Sequence, residues 1–149
     1  MIVIAHNIRS LHNVGSIFRS CDAFAVEKLY LTGFTGVPPR KEIAKVSLGS
    51  EHRVSWEAVL EIRSLLQTLK QQGFCVVALD NTHASMPIQT FKTDKPLALL
   101  LGNEVDGVEK DLLAACDQQV EILMPGEKQS LNVSVATGIA LFALTQEGR

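Results

Sequence analysis

At 149 residues, 46% of them hydrophobic and 20% charged, the chain has the size and balance of one soluble globular domain, residues 1–149, with a core of its own. Its apolar runs fall short of a bilayer span, and its opening residues, MIVIAHNIR, lack the charged start, apolar stretch and cleavage site of a secretory leader; the expectation is a cytoplasmic protein with no membrane partner. The net charge of −2 hides an asymmetry: residues 1–53 hold seven Lys/Arg against four Asp/Glu, a balance of +3, which leaves −5 for the rest. A basic N-terminal third on an acidic body fits a polyanion lying on one face, and it equally fits the uneven scatter of charge found on any small protein. Cys21, Cys75 and Cys116 are odd in number and form no CxxC pair, so they read as reduced thiols. His6, His12, His52 and His83 have no Cys or His partner at ligand spacing, so no metal is expected.

Taken in order, residues 2–5 read as a short buried strand and 6–12 as a polar loop. Asn13 reads as a helix N-cap, followed by an apolar stripe of Val14, Ile17, Phe18, Cys21, Phe24 and Ala25 at helical spacing. Cys21 falls on that stripe and belongs to the core. Lys28–Leu31 is a second strand. Residues 33–53 form a long basic connection, stopped at Pro38-Pro39, with a short helix over Lys41–Ser47. Glu57–Gln72 reads as a helix with Val59, Ile62, Leu65, Leu66 and Leu69 inward and Gly73 as its stop. Phe74–Leu79 is a buried strand. Residues 81–95 are irregular, with a short strand near Ile88. Leu97–Leu101, continuously apolar, is a strand of a parallel sheet. A short helix over Gly107–Cys116, a strand over Val120–Met124 and a closing helix over Leu131–Gln146 complete the chain. Alternating strands and helices define an α/β fold with a mostly parallel sheet. Gly138, with Ala136, Ala140 and Ala143, marks a close helix approach, within the chain or across a dimer, since a mid-helix glycine costs roughly 1 kcal/mol against alanine.

Ligands of open parallel sheets bind beyond the carboxyl ends of strands. Three strands here end in polar or glycine-rich turns: Leu79-Asp80, Gly102-Asn103-Glu104, and Met124 through Ser130. As neighbours they would enclose one pocket, able to read a flat heterocycle through loop amides. There is neither GxGxxG nor a Walker A loop, which weighs against NAD and ATP. Arg19 reads as a solvated helical arginine or as a functional cation. Glu104 reads as a helix-start contact or a site acid, and Asn132 as an N-cap or a site amide.

Three segments resemble, in order, the motifs of the SpoU (TrmH) branch of the SPOUT methyltransferases. They are NVGSIFRS at 13–20, LLLGNEVDGV at 99–108, and ILMPG at 122–126 continuing to SLNVSVA at 130–136. IAKVSLGSE at 43–51 is similar to the same branch. The resemblance implies a parallel sheet with helices on both faces and a C-terminal trefoil knot, an obligate homodimer, and S-adenosylmethionine held by the knotted loops. The implied reaction is methyl transfer to a ribose 2′-hydroxyl of tRNA or rRNA. Carried across by motif position, Asn13, Arg19, Glu104, Ser130 and Asn132 are the implied catalytic set. Leu79, Gly102, Asn103, Met124, Ser130 and Leu131 are the implied cofactor contacts. Arg9, Arg40, Lys41, Lys45 and Arg53 are the basic residues expected to meet RNA. The second motif carries Asn103, Val105 and Asp106 where the wobble-ribose subgroup has Pro, Thr and Arg, and the third has Leu131 in place of Met; both differences point to other substrates. The resemblance implies Arg19 as the proton acceptor. An arginine is effectively always protonated, so a phosphate clamp that stabilises the developing oxyanion is the competing role. A catalytically silent RNA-binding protein on the same fold, and a generic nucleotide-binding domain, are the alternatives.

Overall fold

A computed structural model describes residues 1–146. Strand β1 (Ile2–His6) leads to helix α1 (Leu11–Ala23), followed by β2 (Lys28–Thr32), α2 (Lys41–Ser47) and α3 (Ser50–Arg53). Next come β3 (Trp56–Val59), α4 (Ile62–Gln71), β4 (Cys75–Leu79), β5 (Met86–Pro87) and a 3-10 turn over Ile88–Thr90. Strand β6 (Leu97–Leu101), α5 (Lys110–Ala115), β7 (Gln118–Glu121) and α6 (Val133–Thr145) follow. The strands form one seven-stranded sheet in the order β3-β2-β1-β6-β4-β7-β5, and every pair in it is parallel.

The alternation of side chains along the central strands divides the core between two faces. Val3, Ala5, Leu29, Leu31, Val77, Leu99 and Leu101 meet Val14, Ile17, Phe18 and Cys21 of α1 and Ala140 and Leu141 of α6. Ile2, Ile4, Val76, Ala78, Ala98 and Leu100 meet Ile62, Leu65, Leu66 and Leu69 of α4 and Leu112 of α5. The expected α/β sheet with helices on both faces is therefore present. Burial pushes the Cys21 thiol well above its ordinary range, as a core position requires.

Several boundaries differ from the sequence reading; α5 starts at Lys110 rather than Gly107, and α6 at Val133 rather than Leu131. Ser10, not Asn13, caps α1: its hydroxyl accepts the Asn13 N–H at 3.2 Å, which places Asn13 inside the first turn. Ala25 lies beyond the helix, exposed and at φ 52°. Residues 56–59 are an edge strand rather than the start of a helix, because Trp56–Val59 pairs with Leu29–Thr32; α4 begins only after Glu61, whose carboxylate accepts the Arg63 N–H. Strand β7 lies earlier than the apolar run suggested, since Gln118–Val120 pairs with Val77–Leu79 and leaves Ile122–Met124 in the following loop.

The direction of the chain at the carboxyl edge creates the site. The loop after β1 turns toward α1 and β2 on one side of the sheet. The loop after β6 turns toward α5 and β7 on the other. Adjacent strands whose connections diverge leave a crevice between them, the usual place for a ligand in such sheets.

Candidate active site

The crevice holds a cavity of about 590 Å³ lined by Arg9, Ser10, Asn13, Glu104, Ser130, Leu131, Asn132 and Val133. Glu104 is its centre. One carboxylate oxygen accepts the Arg9 N–H at 2.8 Å. The other accepts the Ser10 N–H at 2.9 Å and the Asn13 side-chain amide at 3.1 Å, with a second, longer contact to the Arg9 N–H at 3.1 Å. Partial burial pushes the Glu104 carboxyl up, but the N–H groups of Arg9, Ser10 and Glu104 itself and the Asn13 amide outweigh it and hold the acid below its ordinary value. The Asn13 side-chain oxygen accepts from the Asn132 amide at 3.3 Å. Asn132 also caps α6, its oxygen accepting the Ser134 N–H at 2.9 Å. Asn13 in the first turn of α1, Glu104 in the loop after β6 and Asn132 at the cap of α6 are thus joined in one network.

A second cavity, about 520 Å³, adjoins the first and shares Glu104, Ser130, Leu131 and Val133 with it. Its remaining wall comes from Leu79, Asp80 and Asn81 after β4, from Leu101 through Gly107 after β6, and from Gln129 and Ala136. The three polar strand ends do form one pocket, because β6, β4 and β7 are adjacent. Its volume lies in the range of small-molecule sites, roughly 300–1,000 Å³. Met124 lines a smaller extension of about 130 Å³ that shares Leu79, Asp80, Asn81 and Ser130 with it.

The loop after β6 is held shut at its base. Asn103 and Gly107 exchange backbone hydrogen bonds at 2.9 and 3.0 Å. Asn103 also donates its side-chain amide to the Asn7 carbonyl at 2.8 Å and accepts the Val105 and Asp106 N–H groups. Asp80 accepts the Val108 N–H at 2.9 Å, which ties this loop to the end of β4. Gly102 is required by close approach: a Cβ there would lie 2.4–2.6 Å from the backbone of Gly107 and Val108.

The structure gathers Asn13, Glu104, Ser130 and Asn132 around one cavity, and Leu79, Gly102, Asn103 and Leu131 around its neighbour, with Met124 at the edge. Arg19 is in neither. It is exposed on α1, six residues past Asn13, about 9 Å further along the axis and roughly 240° around it. It lies in the third turn of α1 and makes no hydrogen bond or ion pair with the described residues. Of the basic residues, Arg9 reaches the cavity wall. Arg40, Lys41 and Lys45 are exposed on or beside α2, Arg40 lying 3.7 Å from Glu42. Arg53 is paired with Asp22 at 2.7 Å, so its charge is balanced locally. Ser10 lines a cavity although sequence reasoning did not name it, while Asp80 and Gln129 line one as members of the turns expected there, without having been given individual roles.

The described residues contain no group of three His, Cys, Asp or Glu placed to hold a metal. They also contain no helix long and apolar enough to cross a membrane.

A parallel α/β sheet with a two-chamber crevice at its carboxyl edge defines a small-molecule-binding fold. Residues 1–142 match the family described as "SpoU rRNA Methylase family", and the chain belongs to that family. It is 36% identical over 143 residues to a tRNA (guanosine(18)-2′-O)-methyltransferase of Aquifex aeolicus, a match covering 95% of this chain and 67% of the relative. It is 30% identical over 147 residues to the 23S rRNA (guanosine-2′-O-)-methyltransferase RlmB of Vibrio parahaemolyticus, covering 99% and 59%. Among solved structures, an AdoMet-bound rRNA methyltransferase from Sinorhizobium meliloti superposes with a TM-score of 0.92 at 28% identity, over 99% of this chain and 56% of that one. The Aquifex aeolicus TrmH/SpoU tRNA-modifying enzyme superposes at 0.88 with 36% identity, over 98% and 74%. The chain spans little more than half the length of several of these proteins, as the 59% and 56% figures record.

Proposed function

We propose that this chain transfers a methyl group from S-adenosylmethionine to the 2′-hydroxyl of a ribose in tRNA or rRNA. The observation that carries the reading is the Asn13–Glu104–Asn132 network, which lines the first cavity, reaches the second through Glu104, and is built from the three segments that resemble the family's motifs. The larger, open cavity suits the RNA and the adjoining one the donor.

The donor set of the second cavity fits S-adenosylmethionine. Leu79, Leu131, Val133 and Ala136 offer apolar walls for a flat heterocycle, and Asp80 and Asp106 lie on the lining to balance a cation. Leu79, Gly102, Asn103, Ser130 and Leu131 would hold it, with Met124 at the edge. When bound, it supplies an electrophilic methyl on a sulfonium. The chain's part is alignment, and electrostatic support of the hydroxyl as it loses its proton.

Glu104 is a scaffold in this scheme. Its oxygens are occupied by backbone and amide donors, and its acidity is increased, both of which make it a poor base. Its work is to fix Arg9, Ser10 and Asn13 in place. Arg9 lines the cavity as a permanently charged group suited to a phosphate. Asn13, Ser130 and Asn132 orient the acceptor ribose.

Arg19 enters through a second copy of the chain. α6 is apolar on every side: Ala140 and Leu141 are buried, while Val135, Ile139 and Phe142, together with Leu131 just before the helix, remain 40–58% exposed in one stripe. A helix apolar all round belongs between two partners. A homodimer through this stripe also covers Phe142, whose ring already meets that of Phe24 at 6.5 Å between centroids. Arg19 lies on α1, which packs against α6 through Ser20 and Gly138, so the dimer brings it toward the partner's crevice as phosphate clamp and oxyanion stabiliser. We also read residues 1–149 as one methyltransferase domain acting in the cytoplasm. The loop from Ile122 to Asn132 and α6 would be the threaded part of a trefoil knot. Support for the threading is that the chain leaves β7 near one edge and returns across the pocket to pack on α1.

The test is incubation with methyl-labelled S-adenosylmethionine and either unfractionated tRNA or ribosomal RNA, followed by nucleoside mass spectrometry. A 2′-O-methylated nucleoside that depends on the protein is expected. RNA binding with no label transferred would instead establish the catalytically silent protein.

A further inference from the structure

We propose that Phe34 is a stacking platform for an unpaired base of the RNA, set at the rim of the crevice. The inference rests on the RNA-directed reading above and adds a contact that this reading does not require.

Phe34 stands just past the carboxyl end of β2, on the edge of the sheet that carries the cavities, and is 61% exposed. Exposure of a large apolar ring ordinarily goes with a loose loop, but this loop is clamped on both sides. The Phe34 N–H donates to the Asn7 side-chain oxygen at 3.0 Å. Thr35 is buried, and its hydroxyl donates to the Ala5 carbonyl at 3.0 Å while accepting the Ile8 N–H at 3.0 Å. Gly33, at φ 60°, sits so close to Asn7 that a Cβ would fall 1.9 Å from the Asn7 oxygen. Turning Thr35 inward turns its neighbour Phe34 outward. The ring is thus presented on a rigid base and makes no ring pair with another aromatic side chain among the described residues.

The clamp connects Phe34 to the site. Asn7, which holds the Phe34 backbone, accepts from the Asn103 amide at 2.8 Å, and Asn103 precedes Glu104. Two residues past Asn7, Arg9 lines the larger cavity. The arrangement is one stiff strip carrying an aromatic face and a guanidinium, the pairing that grips single-stranded nucleic acid. It continues into exposed Arg40, Lys41 and Lys45 on the same connection.

The chemistry favours a base over a protein. A phenylalanine offers at most roughly 250 Å², and the next strand, whose Val59 pairs with Thr32, is followed by one exposed apolar residue, Leu60, at 86%. Two such side chains fall far below the roughly 800 Å² per partner of a stable protein interface. They match the face of a single base, and an unstacked base is what exposing a ribose for reaction creates.

The experiment compares wild type with Phe34→Ala, Phe34→Leu, Phe34→Tyr and Arg9→Ala, using fluorescently labelled unfractionated tRNA and fragmented ribosomal RNA titrated at several salt concentrations. Phe34→Ala should raise the Kd for RNA roughly 5- to 100-fold, the loss of one stacked base. It should leave S-adenosylmethionine affinity and the salt slope unchanged, because no phosphate contact is removed. Phe34→Leu should stay weak and Phe34→Tyr should restore binding to within about threefold, since a planar ring is what the base needs. Arg9→Ala should instead reduce the salt slope by about one. The proposal is overturned if Phe34→Ala binds RNA within about twofold of wild type. It is equally overturned if leucine substitutes as well as tyrosine, or if Phe34→Ala changes the sedimentation of the free protein, which would make the ring a subunit contact. If wild type binds neither RNA, the methyltransferase reading fails and this inference falls with it; normal wild-type transfer with an unaffected Phe34→Ala removes this inference alone.

Discussion

Glu104→Gln isolates the network on which the site depends. The glutamate takes four contacts of 2.8–3.1 Å from Arg9, Ser10 and Asn13, all on N–H donors. Glutamine keeps the length but must turn an NH2 group toward one of those donors. With the amide nitrogen facing Arg9, the 2.8 Å contact is lost and the others change from charge-assisted to neutral. Charge-assisted bonds contribute about 1.5–3 kcal/mol and neutral ones about 0.5–1.5; one bond lost and two weakened by about 1 kcal/mol each sum to roughly 4 kcal/mol, discounted to about 2 for a site at the wall of an open cavity. In a chain of this length that lowers Tm by roughly 4–8 °C. The pH dependence supplies the sharper test. The folded acid is held below its ordinary value, so its stabilisation is complete above the unfolded pKa, near 4.5, and is lost as pH falls through the lower folded value. Thermal melts of both proteins should therefore differ most near neutrality and converge as pH falls through the lowered folded value. Equal stability at about pH 7, or a deficit that persists unchanged at about pH 3, would refute the assignment of an ionised, fully occupied Glu104.

Gly102→Ala forces a methyl group into backbone that cannot retreat, at 2.4–2.6 Å; a loss of roughly 1–3 kcal/mol and of S-adenosylmethionine binding by calorimetry is expected. Arg19→Ala should keep the donor's affinity and fold stability while label transfer to RNA drops at least about 100-fold, because its side chain is exposed and outside the donor cavity. If the proposed homodimer forms through α6, Ile139→Asp with Phe142→Asp should leave a monomer in sedimentation experiments, since both residues belong to the exposed stripe of that helix. His6 is buried, with one ring nitrogen 2.9 Å from the Thr32 hydroxyl and the other 3.7 Å from Glu109. Burial lowers its pKa, and Glu109 and Glu61 only partly oppose this. A depressed folded value means stability is greatest above about pH 6.5 and falls as pH drops below it. Urea denaturation should show this fall in wild type, and a smaller one in His6→Gln.

How far the fold was legible follows from where its information lies. Leu97–Leu101 and Cys75–Leu79 are uninterrupted apolar runs, and only a strand buried on both faces uses such runs, so the centre of the sheet could be read directly. The edges could not. Trp56–Val59 has half-exposed ends and exposed middle residues, and Val59, Ile62 and Leu66 happen to fall at helical spacing. Pairing with Leu29–Thr32 decides the matter, and that is tertiary information. Ser10 and Asn13 are equally good caps by residue type; a carboxylate more than ninety positions away selects Ser10 by holding the Arg9 and Ser10 N–H groups. The same separation hides the site. Asn13 lies 91 residues from Glu104 and 119 from Asn132, so local pattern alone could name each as a cap or a surface residue, and it was the order of motifs that singled them out. Arg19 marks the boundary of that method. A motif conveys that a residue belongs to a site but not which copy of the chain it serves, and a helix that turns roughly 240° between Asn13 and Arg19 separates the two within one chain. The exposed stripe on α6 is what motivates the proposed second copy, since the helix turn that separates Arg19 from the crevice of its own chain is accompanied by an uncovered apolar face on the neighbouring helix.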